Sequence, residues 1–358
     1  MQSGKHVCTR LPVKKNIISY DNKNSPIRHL TPAVIKPMPS FNSADVPHPL
    51  ATPAIAAELH AGLTASIATI SPKFLYDALG SKLFEAICEL PEYYPTRMEA
   101  AIVQRYGAEI ARAVGAGVTL IDLGAGNCAK AASLFALLHP AQYVAIDISV
   151  DFLREAMARL RQRFAHIEMT ALGLDFSRKL ELPGVVSPKK RLFFYPGSSI
   201  GNFTPDQARE FLRRARAQCD ADGALLIGID LVKDSAILNA AYDDALGVTA
   251  AFNLNVLRHV NRLAGADFNV AQWRHLGFFN ALDSRIEMHL EAREALTVAW
   301  QGGSRRFACG ERIHTENSYK YRAQAIAGLL ESSGFQAVTM WTDPQQWFAL
   351  VYARALPA

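Results

Sequence analysis

The stretch Val118-Thr-Leu-Ile-Asp-Leu-Gly-Ala-Gly-Asn-Cys-Ala-Lys130 decides how the rest of the chain is read. Its apolar run, Val118 to Leu123, has the character of a buried parallel strand, and it breaks at Gly124, Gly126 and Asn127 into a turn. Cys128 to Leu138 then carries the spacing of a helix. A strand, a glycine turn and a helix in that order let a ligand approach bare backbone, with the first N–H groups of the helix directed at it. Twenty-one residues after Gly126, the run Gln142-Tyr-Val-Ala-Ile-Asp147 ends in a carboxylate at the tip of a second strand. A carboxylate so placed suits two ribose hydroxyls, and a nucleoside-containing cofactor is expected. The same glycines, as Gly124-x-Gly126-x-x-Ala129, also satisfy the dinucleotide fingerprint of nicotinamide enzymes. A tight turn that binds nothing has the same pattern.

Downstream, Tyr143–Ile148, a run near Ile167–Leu174, Arg191–Tyr195 and Ala224–Ile229 read as further strands, with helical patterns between several of them. That alternation predicts an α/β fold, a doubly wound sheet with helices on both faces. Upstream, helical patterns begin near Ala51, and Pro95 and Thr96 are expected to break the chain before a helix restarts at Arg97. After Leu231-Val-Lys-Asp234 the rhythm changes to long helical stretches and then strand-like alternation, which predicts an inserted α+β subdomain. The division expected is a cofactor-binding domain of residues 51–231 plus 321–358 and a substrate-binding insert of residues 232–320. Residues 1–50, rich in Pro, Asn, Ser and Lys without a period, are expected to be disordered.

Half of the 358 residues are hydrophobic and a fifth charged, as in a globular protein, and no apolar run reaches membrane-spanning length. The net charge of +5 is concentrated in the first forty residues, which hold seven Lys or Arg against the single acid Asp21. The remainder is close to neutral, so neither nucleic acid nor a membrane is expected as a partner. Five scattered cysteines without a CxxC pair indicate neither a disulfide framework nor a zinc site, and fit a reducing cytoplasm. His259, His275, His289 and His314 show no metal-ligand spacing, so no metal is expected. A monomer is expected.

Two later loops carry chemistry. In Leu172-Gly-Leu-Asp-Phe176, Asp175 can accept from an exocyclic amine while Phe176 packs beside an adenine ring, or the pair is a solvated acid beside a core aromatic. In Pro196-Gly-Ser-Ser-Ile-Gly-Asn202 the small residues Gly197, Ser198, Ser199 and Gly201 leave room for a ligand, and Asn202 offers both donor and acceptor. A strand-to-helix loop with Asn as a cap also explains it. Loops at the carboxyl ends of successive strands converge on one crevice.

Together, Gly124-Ala-Gly-Asn127, Asp147, Asp175-Phe176 and Pro196–Asn202 resemble the loops of a Rossmann-like S-adenosylmethionine-dependent methyltransferase. With Leu90-Pro-Glu-Tyr-Tyr-Pro-Thr-Arg97, Leu231–Asp234, Ala241–Asn253, Arg285–Leu290 and Ile313–Tyr321, the chain resembles the L-histidine Nα-methyltransferase family of ergothioneine biosynthesis, from about Phe74 to its end. The resemblance implies S-adenosylmethionine as cofactor, with its methionyl part at Gly124 and Lys130. It implies the ribose at Asp147, the adenine at Asp175 and Phe176, and Gly197 beside the reacting centre. It implies that Tyr93, Asn202 and Tyr242 hold the backbone groups of L-histidine, and that Glu316 and Ser318 read the imidazole. Tyr76 and Phe84 are implied near the amine, and Met288 along the side-chain pocket.

The residue chemistry agrees with this. A carboxylate and a hydroxyl two residues apart on an extended segment face the same way, so Glu316 and Ser318 can engage one ring together. Methyl transfer needs an in-line approach and a neutral amine, with Tyr76 or an ordered water as candidate proton acceptors. Aromatic faces such as Phe84 and Tyr76 would stabilise a trimethylammonium product. Asn127 and Cys128 stand where Thr and Ser are familiar, and Asn317 and Tyr319, flanking Ser318, are expected to bear on the shape of the imidazole pocket. Glu316 paired on the surface with Lys320 or Arg322 is the plainer alternative. Rival functions are the same fold methylating another small amine or an aromatic amino acid, an NAD-dependent oxidoreductase, and a non-catalytic cofactor sensor.

Overall fold

The computed structural model describes residues 52–357, and the tail expected to be disordered lies outside them. The chain opens with helix α1 (Pro53–Thr64), strand β1 (Ala68–Thr69), helix α2 (Ala78–Cys88) and helix α3 (Tyr94–Val114). α3 begins at Tyr94 rather than Arg97, because Pro95 sits in its first turn, where the missing N–H has no partner to lose. The alternating region follows as β2 (Thr119–Leu123), α4 (Ala129–Leu138), β3 (Gln142–Asp147), α5 (Val150–Arg163), β4 (Glu168–Gly173), β5 (Arg191–Tyr195), α6 (Pro205–Ala217) and β6 (Ala224–Asp230). Next come α7 (Ser235–Tyr242), α8 (Val248–Ala264), β7 (Trp273–Asn280), β8 (Arg285–Ala292), β9 (Leu296–Trp300), β10 (Gly303–Phe307) and β11 (Arg312–Tyr319). α9 (Ala323–Glu331), β12 (Phe335–Thr342) and β13 (Phe348–Ala355) close the fold.

The main sheet has seven strands in the order β12-β13-β6-β5-β2-β3-β4. β2 through β6 pair in parallel, and β13 runs antiparallel to both of its neighbours. Strand residues alternate between two cores: Leu120, Tyr143 and Phe194 pack with Leu134 and Phe135 of α4, while Ile121, Val144 and Phe193 pack with Phe211 and Leu212 of α6. Helices therefore cover both faces, and the strand ends that bear the loops all point to one edge. The doubly wound α/β reading holds. No helix among the described residues is long and apolar enough to cross a membrane.

A second sheet, β1-β11-β8-β7, gathers most of the inserted strands. Its core face carries Ile286, Met288, Leu290 and Ile313, which share one apolar cluster with Leu59 and Leu63 of α1, Phe74, Ile87 of α2, and Val256 and Leu257 of α8. The first helices thus bury their apolar sides against the insert, and β1 even adds a parallel strand to it. Midway along β11 the register slips, with His314 opposite His289 but Glu316 opposite Met288. The extra residue is Thr315, whose hydroxyl donates to the Met288 carbonyl at 3.0 Å.

The two sheets touch where the loop after β5 passes the end of β11. A Cβ added at Gly201 would lie 2.8 Å from the Tyr319 carbonyl oxygen and 3.0 Å from its nitrogen. The room expected there for a ligand is filled by backbone. Ser198 is also structural, its buried hydroxyl accepting from the Asp230 N–H at 2.8 Å. Gly201→Ala should lower stability by about 1–3 kcal/mol in urea unfolding, since neither backbone can yield. Gly184→Ala, which meets nothing within 4 Å, should stay within about 0.5 kcal/mol; equal effects would mean that the close approach does not matter.

Candidate active site

At the strand-end edge, a cleft of about 1130 Å³ is lined by Tyr76, Phe84, Tyr93, Gly124, Lys130, Asp147, Asp175, Phe176, Gly197 and Asn202, ten of the fourteen residues singled out from sequence. The turn after β2 has φ of +72° at Gly124, +53° at Gly126 and +62° at Cys128, a conformation that favours glycine. It presents the Gly126 N–H to Asp147, whose two carboxylate oxygens accept from Gly126 at 2.9 Å and Ser149 at 2.8 Å. Asp147 is thereby oriented with lone pairs to spare for a ligand. Asn127 braces the turn, accepting from the Ala129 N–H at 3.1 Å and donating to Glu85 at 2.9 Å. Cys128 is buried, which pushes its thiol up to about 12, so it packs the loop and is not a nucleophile.

At one end of the cleft, Asp175 takes hydrogen bonds from the Ser177 N–H and hydroxyl and faces Lys73 Nζ at 3.4 Å. Lys73 bonds Glu58 at 2.8 Å, and Arg178 reaches the same Glu58. Phe176 leans on Tyr195 and Phe211 with ring centroids 5.8 and 5.7 Å away, leaving one side toward Gly124. In the middle of the cleft, Glu99 of α3 accepts from the Gly197 N–H at 2.9 Å and pairs with Lys130 at 2.7 Å. It reaches Gly197 by passing over Gly228, where an added Cβ would sit 2.3 Å from its carboxylate. Glu99 was not picked out from sequence. The available signal was a charged residue on the same helix face as Pro95 and Ile102, both buried.

The remaining four, Tyr242, Met288, Glu316 and Ser318, do not line the cleft but lie buried behind its aromatic wall. Tyr76 packs edge-on against Phe84 and Phe252 at 5.6 and 5.5 Å, and Tyr93 bridges Phe84 and Tyr242, each at 6.1 Å. The Tyr242 and Ser318 hydroxyls are 2.9 Å apart, and Lys320 donates to both, at 3.1 and 2.8 Å. Lys320 in turn pairs with Asp230 at 2.7 Å, which also takes Lys233 and the Tyr94 hydroxyl. Burial opposes a charge on Lys320, but the carboxylate and phenol around it prevail and raise its pKa.

The bulge at Thr315 explains how a carboxylate enters this core. Residues paired across an antiparallel ladder share a face, so Glu316 and Ser318 lie with Met288 and Ile286 on the apolar side, the side of Ile313. Without the extra residue their parity would put them outside. Glu316 is 7% exposed, and among the described residues it forms no ion pair and its Oε2 has no hydrogen-bond partner. Burial, opposed only by the nearby Lys320, pushes its carboxyl up to about 7. The surface-pair alternative is excluded, since Lys320 spends its charge on Asp230. Asn317 and Tyr319 face the other way, bonded to His314 at 2.9 Å and Arg285 at 2.6 Å, so they do not shape the pocket as expected. Tyr76 is a partly buried phenol on the cleft wall whose pKa is raised, first by burial and then by Glu316, which favours its protonated form.

Among the described residues no group of side chains is arranged to hold a metal ion. A glycine turn, a carboxylate at the end of β3 and a sheet with one reversed strand define a Rossmann-like methyltransferase fold. Residues 55–355 match the family described as histidine-specific, S-adenosylmethionine-dependent methyltransferases, and the chain belongs to that family. A histidine N-alpha-methyltransferase of Mycolicibacterium smegmatis is 41% identical over 310 residues, 85% of this chain and 95% of that protein. Its counterpart in Mycobacterium tuberculosis is 38% identical over 84% of this chain and 94% of its own. Ergothioneine biosynthesis protein 1 of Neurospora crassa is 31% identical over 75% of this chain, which spans 31% of that longer protein. S-adenosylmethionine is the cofactor of the family, and the nicotinamide reading falls away.

Glu316 has a measurable signature. Its folded pKa stands above the ordinary 4.5, so its contribution to stability is full below about pH 4.5 and is lost as pH rises through about 7. Ligand-free Glu316→Gln, which never ionises, should exceed the wild type in stability above pH 8 by up to about 3 kcal/mol, and the gap should close toward pH 5. A gap independent of pH in thermal unfolding would show that Glu316 is not a buried acid.

Proposed function

We propose that the chain transfers methyl groups from S-adenosylmethionine to the α-nitrogen of L-histidine, three in succession, to give the trimethyl betaine used in ergothioneine biosynthesis. The observation that carries this reading is the buried Glu316, with an unpartnered oxygen, beside Ser318 on the same face of β11. An apolar amino acid would leave that carboxylate without a donor, whereas an imidazole N–H satisfies it. Support also comes from the two mycobacterial relatives named for histidine methylation and the fungal one named for ergothioneine biosynthesis.

The cleft fits the cofactor. An added Cβ at Gly126 would meet nothing within 4 Å and one at Gly124 only the Phe176 ring edge at 3.9 Å, so the turn's backbone stays open to a ligand. When bound, the cofactor supplies a methyl group already activated by a sulfonium. In this reading Asp147 holds the ribose, Asp175 and Phe176 the adenine, and Gly124 and Lys130 the methionyl end, with Gly197 bordering the reacting atoms. Tyr93, Asn202 and Tyr242 hold the amino acid's backbone groups, Asn202 orients the amine, and Met288 lines the side chain. The α-ammonium of free histidine must lose a proton before its lone pair can attack, and Tyr76, held as a phenol, leaves that proton to solvent. Tyr76 and Phe84 then face the growing alkylammonium, a cation–π contact of about 1 kcal/mol.

The insert, residues 232–320, serves as the substrate subdomain, with the first helices sharing its core. The four cysteines among the described residues, all free, support a cytoplasmic location. The near-neutral charge outside the tail supports a small-molecule substrate rather than nucleic acid, and a monomer is the proposed state.

Purified protein with S-adenosylmethionine and all twenty amino acids should yield histidine heavier by three methyl groups in mass spectrometry. Glu316→Ala should lower the affinity for histidine about 10- to 100-fold, in line with a charge-assisted bond of roughly 1.5–3 kcal/mol. Methylation of a different amino acid would keep the cofactor and move the substrate. Cofactor binding with no methylated product at all would make the chain a sensor.

A further inference from the structure

Three residues of β7 that share a face, His275, Gly277 and Phe279, stand opposite Leu290, Met288 and Ile286 of β8, on the apolar side of the second sheet. His275 is 9% exposed there, and its Nε2–H donates to the carbonyl of Tyr242 at 2.8 Å. Tyr242 is the last residue of α7, where a carbonyl has no donor left within its own helix. The other ring nitrogen, Nδ1, accepts from the Asn253 amide at 2.9 Å, and that amide nitrogen also donates to the His289 carbonyl at 3.1 Å. A carbonyl can only accept, so the amide nitrogen must face both groups. The ring is thereby fixed as the neutral tautomer with its proton on Nε2. Burial favours the same neutral form. Two further contacts press α7 onto this strand. An added Cβ at Gly277 would lie 2.4 Å from the Tyr242 carbonyl oxygen, and the Phe279 N–H donates to Asn239 of α7 at 2.7 Å. From a backbone held in this way, the Tyr242 phenol reaches Ser318 Oγ at 2.9 Å and packs on the Tyr93 ring at 6.1 Å.

Resting on the histidine reading above, in which Tyr242 holds the amino acid, we propose that His275 is a positioning residue whose Nε2–H pins the Tyr242 carbonyl and so sets where the Tyr242 hydroxyl stands. His275 is not among the residues that line the cleft, and it acts on the substrate through Tyr242. The position then accepts another donor in place of the ring, but not a side chain that leaves the carbonyl bare, because a buried carbonyl without its donor moves to find one. The cofactor end should be indifferent to the change. Its glycine turn and Asp147 follow β2 and β3, which belong to the other sheet.

The test compares two amide variants that replace opposite ends of the ring. In His275→Gln the longer side chain brings an N–H to the place of Nε2, whereas in His275→Asn the shorter one faces Asn253 and leaves the Tyr242 carbonyl bare. KM for L-histidine should stay within about threefold of the wild type in His275→Gln and rise about 10- to 100-fold in His275→Asn. The affinity for S-adenosylhomocysteine in calorimetry should hold within about twofold in both. Equal KM values in the two variants, or a loss of cofactor affinity matching the rise in KM, would mean that His275 serves folding alone and would overturn the proposal. In a Tyr242→Phe background the His275→Asn penalty on KM should shrink to less than about threefold, since the hydroxyl being positioned is gone. A penalty that persists in full would also overturn it. A measurement on the unaltered protein covers the case of a variant too unstable to assay: ¹⁵N spectra of the His275 ring should show a proton on Nε2 and none on Nδ1. A proton on Nδ1 would overturn the proposal. Failure of the unaltered protein to bind or methylate histidine would instead overturn the function on which it rests.

Discussion

Asp230 stands where the two sheets meet, and the geometry of the site depends on what surrounds it. Its N–H donates to Ser198 Oγ, its carbonyl accepts from the Tyr321 N–H at 3.0 Å, and its carboxylate gathers Tyr94, Lys233 and Lys320. Through one residue the loop after β5, helix α3, the entry to the insert and the exit from β11 are held together. A lone carboxylate buried to this degree would cost several kcal/mol, so the arrangement exists only with its partners in place. Burial alone would raise the Asp230 pKa, yet the two lysines outweigh it and hold the group ionised. The cost of two cations around one anion falls on Lys233, which burial brings down to about 8.

The cofactor side of the cleft is built differently, from close approaches of backbone. Gly124 and Gly126 open the turn, Gly228 lets Glu99 cross the sheet edge, and Gly197, where an added Cβ would lie 3.0 Å from Lys130 Nζ, brings the next loop against that lysine. These contacts orient donors and acceptors that are already satisfied within the protein. Such a site needs little rearrangement when a ligand arrives. In the proposed reading the substrate side holds the reverse, a carboxylate oxygen without a partner among the described residues, and an unmet hydrogen bond of that kind would select the ligand.

The first helices complete the enclosure. Glu58, Lys73 and Asp175 form an ionic chain across the cofactor end, but these side chains are partly exposed, and such pairs contribute little. What holds this segment is its apolar face: Leu59, Leu63, Phe74 and Leu75 are almost wholly buried against the insert. The segment falls within the stretch expected from sequence to bind the cofactor, yet it packs with the insert.

Strand and helix periods, read with the glycine turn and Asp147, were enough to define the parallel sheet and the cofactor end, because those features are local: each depends on residues close in sequence and on backbone conformations that few side chains allow. The resemblance implied that Glu316 and Ser318 read one ring, and their spacing agreed with it, since two residues apart on a strand means one face. Which face was beyond the sequence. A single extra residue, Thr315, inverts the parity of everything after it, so Glu316 is buried while Asn317 and Tyr319 are turned away. Lys320, taken alone, reads as a surface partner for Glu316, and Glu99 reads as an ordinary helical acid. Their roles depend on carboxylates and hydroxyls brought from distant parts of the chain, and the charge of a buried group is decided by such neighbours and by the loss of water. Local pattern determined the architecture and the cofactor. Tertiary contact decided which polar groups are sealed from solvent, and with that, what the pocket asks of its substrate.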